Sequence, residues 1–316
     1  MSNFFQLVRN EQMKLYSQTA TWVMYGILAV LVIGFAIVLK VNGDVNGGDY
    51  GGNWEKALQE ENAQLEKQMK ENEFAGDYAT QQIALNEYRI EHDIAPGGYN
   101  IWDFVQENQS NAAIISLFTI IVAAGIIANE FKWGTIKLLL LRPISRTKIL
   151  FSKYVSVLVY AITMLVFLLI LAVICGAIFF GIEQSAQPYL YYQDGTVQEM
   201  PMIQLVSIKY FLGSVNLVMM ASFAFMISAV FRNSSLAIGI AIFLMMAGNS
   251  IVMFFADYDW SKFILFANTD LTQHIIGTPM NEDLTLSFSV TVLLVYFVIF
   301  LTLAWAAFTK RDVANA

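Results

Sequence analysis

The chain has 316 residues, of which 57% are apolar and only 14% charged, with a formal net charge of −7. A soluble domain is roughly a quarter charged, and neither a soluble globule nor a disordered chain accommodates this bias. The acidic balance excludes a general nucleic-acid binder. One cysteine, Cys175, excludes an internal disulfide or cysteine-based zinc cluster, and His92 and His274 lie too far apart for a local metal pair.

Residues 1–21 place Phe4, Phe5, Val8, Gln12 and Leu15 near one helical face, with Arg9, Glu11 and Lys14 off it. That pattern predicts an amphipathic helix at the inner membrane interface, the alternative being a frayed polar terminus. Residues 22–39 are then uncharged and apolar over about the length a bilayer requires. Their apolar core is too long for a signal peptide, and no small-residue cleavage site follows.

Residues 40–110 form a hydrophilic insert with 14 acidic and five basic side chains. After the glycine-rich NGDVNGGDYGGN, two helix-favouring runs are broken by Gly76. Trp54, Leu58, Leu65 and Met69 make a narrow seam on the first, and Tyr78, Leu85 and Tyr88 one on the second. An antiparallel helical hairpin fits these spacings, and so does a solvated spacer. The Trp102–Val105 patch reads as an interfacial anchor ahead of the second span, 111–128.

The loop 129–153 runs NEFKWGTIKLLLLRPISRTKILFSK. A short amphipathic helix lying along the inner surface is expected, stopped by Pro143, with Ser145 capping the next helix. Arg146, Lys148 and Lys153 are read as headgroup anchors. An ordinary positively charged loop is the alternative.

The remaining spans are 154–181, 210–231, 236–256 and 286–308, with hydrophilic segments 182–209 and 257–285 between them and a tail at 309–316. The continuous apolar runs predict an all-α polytopic membrane protein of six transmembrane helices, with an extracytoplasmic helical-hairpin insert between the first and second. Arg9, Lys14, Lys132, Lys137, Arg142, Arg146, Lys148, Lys153, Arg232, Lys310 and Arg311 flank the spans on one side, which places both termini in the cytoplasm. Phe263–Phe266 and Ile275–Ile276 are too short to cross and suggest half-inserted outer helices, with His274 at the surface.

No Asp, Glu, Lys, Arg or His lies inside those span boundaries, which argues against proton-coupled transport. Thr163, Asn216, Ser222, Ser228, Asn249 and Ser250 are among the neutral polar residues there. Asn216 and Asn249 are candidates for a substrate path, unless they simply join helices by hydrogen bonds. Met220 and Met246, from a methionine- and phenylalanine-rich pair of spans, offer a soft surface for bulky cargo, although such residues also suit lipid. Ala123, Ala124, Gly125 and Ala128 permit close helix contact or a subunit interface.

The order Glu130, Gly134-Thr135, Ile136-Lys137, Arg142-Pro143-Ile144-Ser145-Arg146 and Lys153 resembles the signature of the permease subunits of type-2 ABC exporters, between their second and third spans. Asn10-Glu11 and Lys14-Leu15 resemble the opening of that family. The likeness covers the six-span plan, although its specific motif occupies about 25 residues and the acidic insert departs from the family core. It implies a coupling helix at Glu130, Phe131, Trp133, Gly134, Thr135 and Lys137 that sits on a separate nucleotide-binding ATPase subunit. It also implies a second permease subunit, identical or paralogous, and residence in a bacterial cell membrane. The cargo implied is amphipathic: a peptide antibiotic, a lipid or a drug-like molecule. This chain has no G-x-x-x-x-G-K-[ST]. It is therefore expected to hold no cofactor and to catalyse nothing itself, with ATP and Mg²⁺ bound by the partner. The competing expectation is a membrane sensor or scaffold whose outer hairpin binds a ligand and signals through the inner loop.

Overall fold

The computed structural model describes residues 4–42, 53–71, 76–141, 143–182, 187–193, 195–276 and 284–310. Most of the glycine-rich linker, Arg142 and the residues after Lys310 lie outside them. The chain opens with α1 (Phe4–Tyr16) and α2 (Thr19–Asn42), followed by α3 (Trp54–Glu71) and α4 (Gly76–Glu91). Next come α5 (Ile101–Asn108), α6 (Ala112–Lys132), α7 (Thr135–Leu140) and α8 (Arg146–Phe180). A hairpin of β1 (Tyr189–Gln193) and β2 (Thr196–Met200) leads into α9 (Met202–Phe231) and α10 (Ser234–Phe254). Two short helices, α11 (Leu265–Asn268) and α12 (Gln273–Ile276), precede α13 (Leu286–Lys310).

Six helical stretches are long and apolar enough to cross a bilayer: α2, α5 with α6, α8, α9, α10 and α13. The protein is an all-α polytopic membrane protein. Six crossings put α1, the 129–153 loop and the end of α13 on one face, here the terminal face. The α3–α4 insert, the β-hairpin and the α11–α12 segment share the other, the insert face.

Helices α6, α8 and α9 form the centre, with α1, α2 and α5 against α8, and α10 and α13 against α9. The α6–α9 contact is the most extensive in the bundle, and the small residues of α6 take part in it. Ala123, Ala124 and Ala128 are buried there, and the Ser228 hydroxyl of α9 donates to Ala124 O at 2.6 Å while accepting from Ala128 N at 3.2 Å. A side chain from one helix thereby enters the main-chain ladder of its neighbour, which only residues this small permit.

The hairpin of α3 and α4 forms, with Leu58, Leu65 and Ala79 buried. Its seam includes a polar pair, Asn86 Nδ2 donating to Asn62 Oδ1 at 2.8 Å, whereas Tyr78 is exposed.

The structure refines four expectations. The Trp102–Val105 patch does not float at the interface: Ile101, Phe104 and Val105 are core residues, because Gly176 lets the start of α5 rest directly on α8. The helix of the fourth span, α9, begins at Met202, ahead of the 210–231 apolar run, and its extra turns carry Lys209, whose ammonium lies 5.7 Å from the centre of the Tyr189 ring. The hydrophilic segment 182–209 contains a β-hairpin at 189–200, where the sequence suggests only a loop. His274 is not a free surface residue but shares a 3.1 Å hydrogen bond with the buried Ser289.

Candidate functional site: a braced surface helix

The 129–153 loop begins inside the bundle. Helix α6 continues to Lys132, and Gly134 then takes a left-handed conformation (φ +69°) that turns the chain sharply into α7. A residue with a Cβ is strained there, and glycine is not. Helix α7 is a stub of six residues, and past Pro143 the Ser145 side chain accepts from Lys148 N at 3.4 Å to start α8.

Beneath this turn sits a cluster of four ionised groups. The Lys153 ammonium, 1% exposed, lies 2.8 Å from Glu11 Oε2 and 2.9 Å from Glu130 Oε1. Lys14 lies 3.2 Å from each of the same two carboxylates. Thr135 Oγ1 donates to the other oxygen of Glu130. The two acids and two bases balance, so the cluster carries no net charge where desolvation makes an excess costly. It joins α1, α6, α7 and α8. Partial burial works against the charged form of Lys14, but Glu11 and Glu130 more than offset it and hold its pKa above the ordinary lysine value.

Several expected positions move accordingly. Glu130 belongs to the last turn of α6 and is buried, not displayed on the surface helix. Lys153 is the hub of the cluster, not a headgroup anchor, because α8 starts two turns earlier, at Arg146. On α1 the buried face is that of Glu11 and Leu15, whereas Phe5 is 84% exposed. Gln12 Nε2 donates to Ser156 O at 2.7 Å and fixes α1 along α8.

Phe131 also turns inward. Its ring packs edge-on to Phe308, and the Arg232 guanidinium stands 4.4 Å from its centre. Arg232 reaches that place because it ends α9 in a left-handed conformation (φ +54°). Trp133 and Lys137 are exposed, and Ile136 pins α7 to the bundle from below. Leu138 and Leu141, not singled out beforehand, stand 67% and 80% exposed beside them. The unbroken run of leucines hides this division, since only helical phase separates the seated residues from the exposed ones.

The four candidates for a substrate path do not stay together. Asn216 and Asn249 line one polar cavity of 260 Å³ near the insert face, with Gln109, Ser116 and Asp270. Met220 is sealed in the core, and Met246 is 76% exposed on the outer surface of α10. Three of the neutral polar residues serve helix joining: Ser222 with Tyr154 (2.7 Å), Thr163 with Tyr16 (2.6 Å), and Ser228 with α6. Among the described residues no group of three or more His, Cys, Asp or Glu is arranged to hold a metal ion.

Residues 81–314 match the family described as "Protein of unknown function (DUF2705)". The chain belongs to that family. It is similar to the uncharacterized protein YhcI of Bacillus subtilis (strain 168), with 46% identity over 98% of this chain and 99% of that one. It is also similar to the uncharacterized membrane protein YdbK of the same strain, with 31% identity over 68% of this chain and 84% of the relative. The family match begins within α4 and takes in the whole 129–153 loop.

Proposed function

We propose that this protein is the permease subunit of an ATP-driven ABC exporter, with ATP hydrolysed on a separate subunit that docks on the terminal face. The reading starts from the sequence resemblance. The observation that carries it further is the turn through the α7 stub, where Trp133 before it, Leu138 on it and Leu141 after it are exposed while a buried ionic cluster ties the stub's base to three other helices. Exposed large apolar side chains grouped on a rigid support suit a protein partner. A push on such a stub passes into the bundle without a flexible intermediary. Of the two aromatic residues expected in the coupling helix, Trp133 stays as an anchor, and Leu138 and Leu141 take the place of Phe131.

In this reading the terminal face is cytoplasmic and the membrane is that of a bacterial cell. The basic residues around α7 favour that orientation. A second permease subunit completes the transporter. Amphipathic cargo passes toward the insert face, where the polar cavity of Asn216 and Asn249 offers hydrogen bonds at the end of the route.

The test is co-purification of a P-loop ATPase with the tagged protein from its native membrane. Trp133→Ala, Leu138→Ser and Leu141→Ser should each weaken that association, and loss of a buried anchor typically costs about 2 kcal/mol, roughly thirtyfold in affinity. All three substitutions leave the buried cluster untouched. Wild-type ATPase recovery in all three variants overturns the docking site, and absence of any ATPase from the wild-type complex overturns the exporter reading.

A further inference from the structure

A groove of 160 Å³ runs between the α1–α2 elbow and α6, from the terminal face toward the middle of the bilayer. Its mouth is polar, with Lys14, Gln18 and Asn129 beside the mutually paired Glu11, Glu130 and Lys153, and Trp133 stands at the rim. Its deeper wall is apolar, with Met24, Ile121, Val122 and Ile126, and Gly125 lies where the two parts meet, its missing side chain leaving room for the Asn129 amide, whose Nδ2 would stand 3.0 Å from an added Cβ. From Asn129 to Ile121 the helix descends about 12 Å, close to the half-thickness of a hydrocarbon core, roughly 15 Å.

The mouth holds unused hydrogen-bond donors. Lys14 directs two N–H groups to Glu11 and Glu130, and an ammonium has three. The side-chain amides of Gln18 and Asn129 make no hydrogen bond to the described residues. The surroundings are cationic: described residues of 4–18 and 129–153 include Arg9, Lys132, Lys137, Arg146 and Lys148, with Glu11 and Glu130 as the acids, both consumed by the cluster.

We propose that this groove is a binding site for one anionic phospholipid of the leaflet at the terminal face. Its phosphodiester lies at Lys14, Gln18 and Asn129, and an acyl chain runs over Gly125 between Met24 and Ile126. A free phosphate would use the mouth but leave the apolar half empty, and a hydrocarbon chain alone would leave the donors without acceptors. The site rests only on the protein's crossing a membrane, and is independent of the exporter reading. Because Lys14 belongs to both the mouth and the ionic cluster, the lipid contacts the same group that braces α7.

The experiment compares Trp133 fluorescence, taken as the difference between wild type and Trp133→Phe, in phosphatidylcholine vesicles titrated with brominated phosphatidylglycerol or brominated phosphatidylcholine. One nearby lysine favours an anionic lipid about fivefold, so the brominated phosphatidylglycerol should quench at a mole fraction about fivefold lower. Lys14→Gln and Gly125→Leu should abolish that preference, and Lys14→Arg should retain it. Glycerophosphoglycerol, the headgroup without chains, should not relieve the quenching. Equal quenching by the two lipids in the wild type overturns the proposal whether or not the variants fold. So does a preference that survives both Lys14→Gln and Gly125→Leu, and displacement by the chain-free headgroup shows a phosphate site instead.

Discussion

Lys153 shows how one side chain holds several elements. Replacing it with methionine leaves Glu11 and Glu130 facing each other with only the half-exposed Lys14 between them. Breaking a buried pair in this way costs about 3–5 kcal/mol, so Lys153→Met should lower the thermal unfolding midpoint in detergent markedly. Adding Glu11→Gln and Glu130→Gln should recover most of the loss, because the charge then left is that of Lys14, which is half-exposed and reaches water. A triple variant no more stable than Lys153→Met argues that lost packing, rather than charge, is responsible. A second residue-scale test concerns Gly248, where an added Cβ would stand 2.4 Å from the Phe266 ring. Gly248→Ala should destabilise by about 1–3 kcal/mol through overpacking, and Phe266→Leu in the same chain should relieve it; thermal unfolding of both variants checks this. The ionic cluster was partly legible in the amino-acid order. Glu11 and Glu130 are the acids of two otherwise basic segments, 1–21 and 129–153, and an acid so placed calls for a partner. Helical phase alone did not reveal that Glu11 lies on the buried face, since an ion-paired carboxylate looks polar in any hydrophobic pattern.

At the scale of elements, apolar run length located every span, because the bilayer imposes that length. It failed at the ends, where protein rather than lipid is the neighbour. Helix α5 carries Asp103 and Glu107 yet sits on α8, and α9 begins well before its uncharged stretch. The β-hairpin had no such signal: its five-residue strands alternate only loosely, and its support comes from elsewhere, including a 3.2 Å hydrogen bond from Tyr88 of α4 to Glu199. The α3–α4 hairpin meets the remainder mainly through this region. Deleting residues 53–92 onto a short Gly/Ser linker should therefore leave membrane insertion and the α6–α9 core intact, while β1 and β2 become sensitive to protease. Failure of the deleted protein to insert would show that the hairpin is needed to assemble the spans.

For the whole molecule, the two faces make a labelling prediction. In a Cys175→Ser background, single cysteines at Ser145 and Asn233 should share one accessibility, and a cysteine at Thr196 should show the opposite one. With the orientation proposed above, an impermeant maleimide should reach Thr196 in intact cells and Ser145 only after permeabilisation. The same reactivity at Ser145 and Thr196 would refute six crossings. The Ser228 hydroxyl has a further consequence at this scale. It is wedged between consecutive ladder partners of α6, like a pin through a rack. Sliding α9 along α6 by even one residue would withdraw it and break both of its bonds to α6, so these two helices travel together as a single strut. Any rearrangement that opens a passage must swing the peripheral helices α2, α10 and α13 about that strut, and a Ser228→Val change, which removes the pin, should free the motion the native chain forbids.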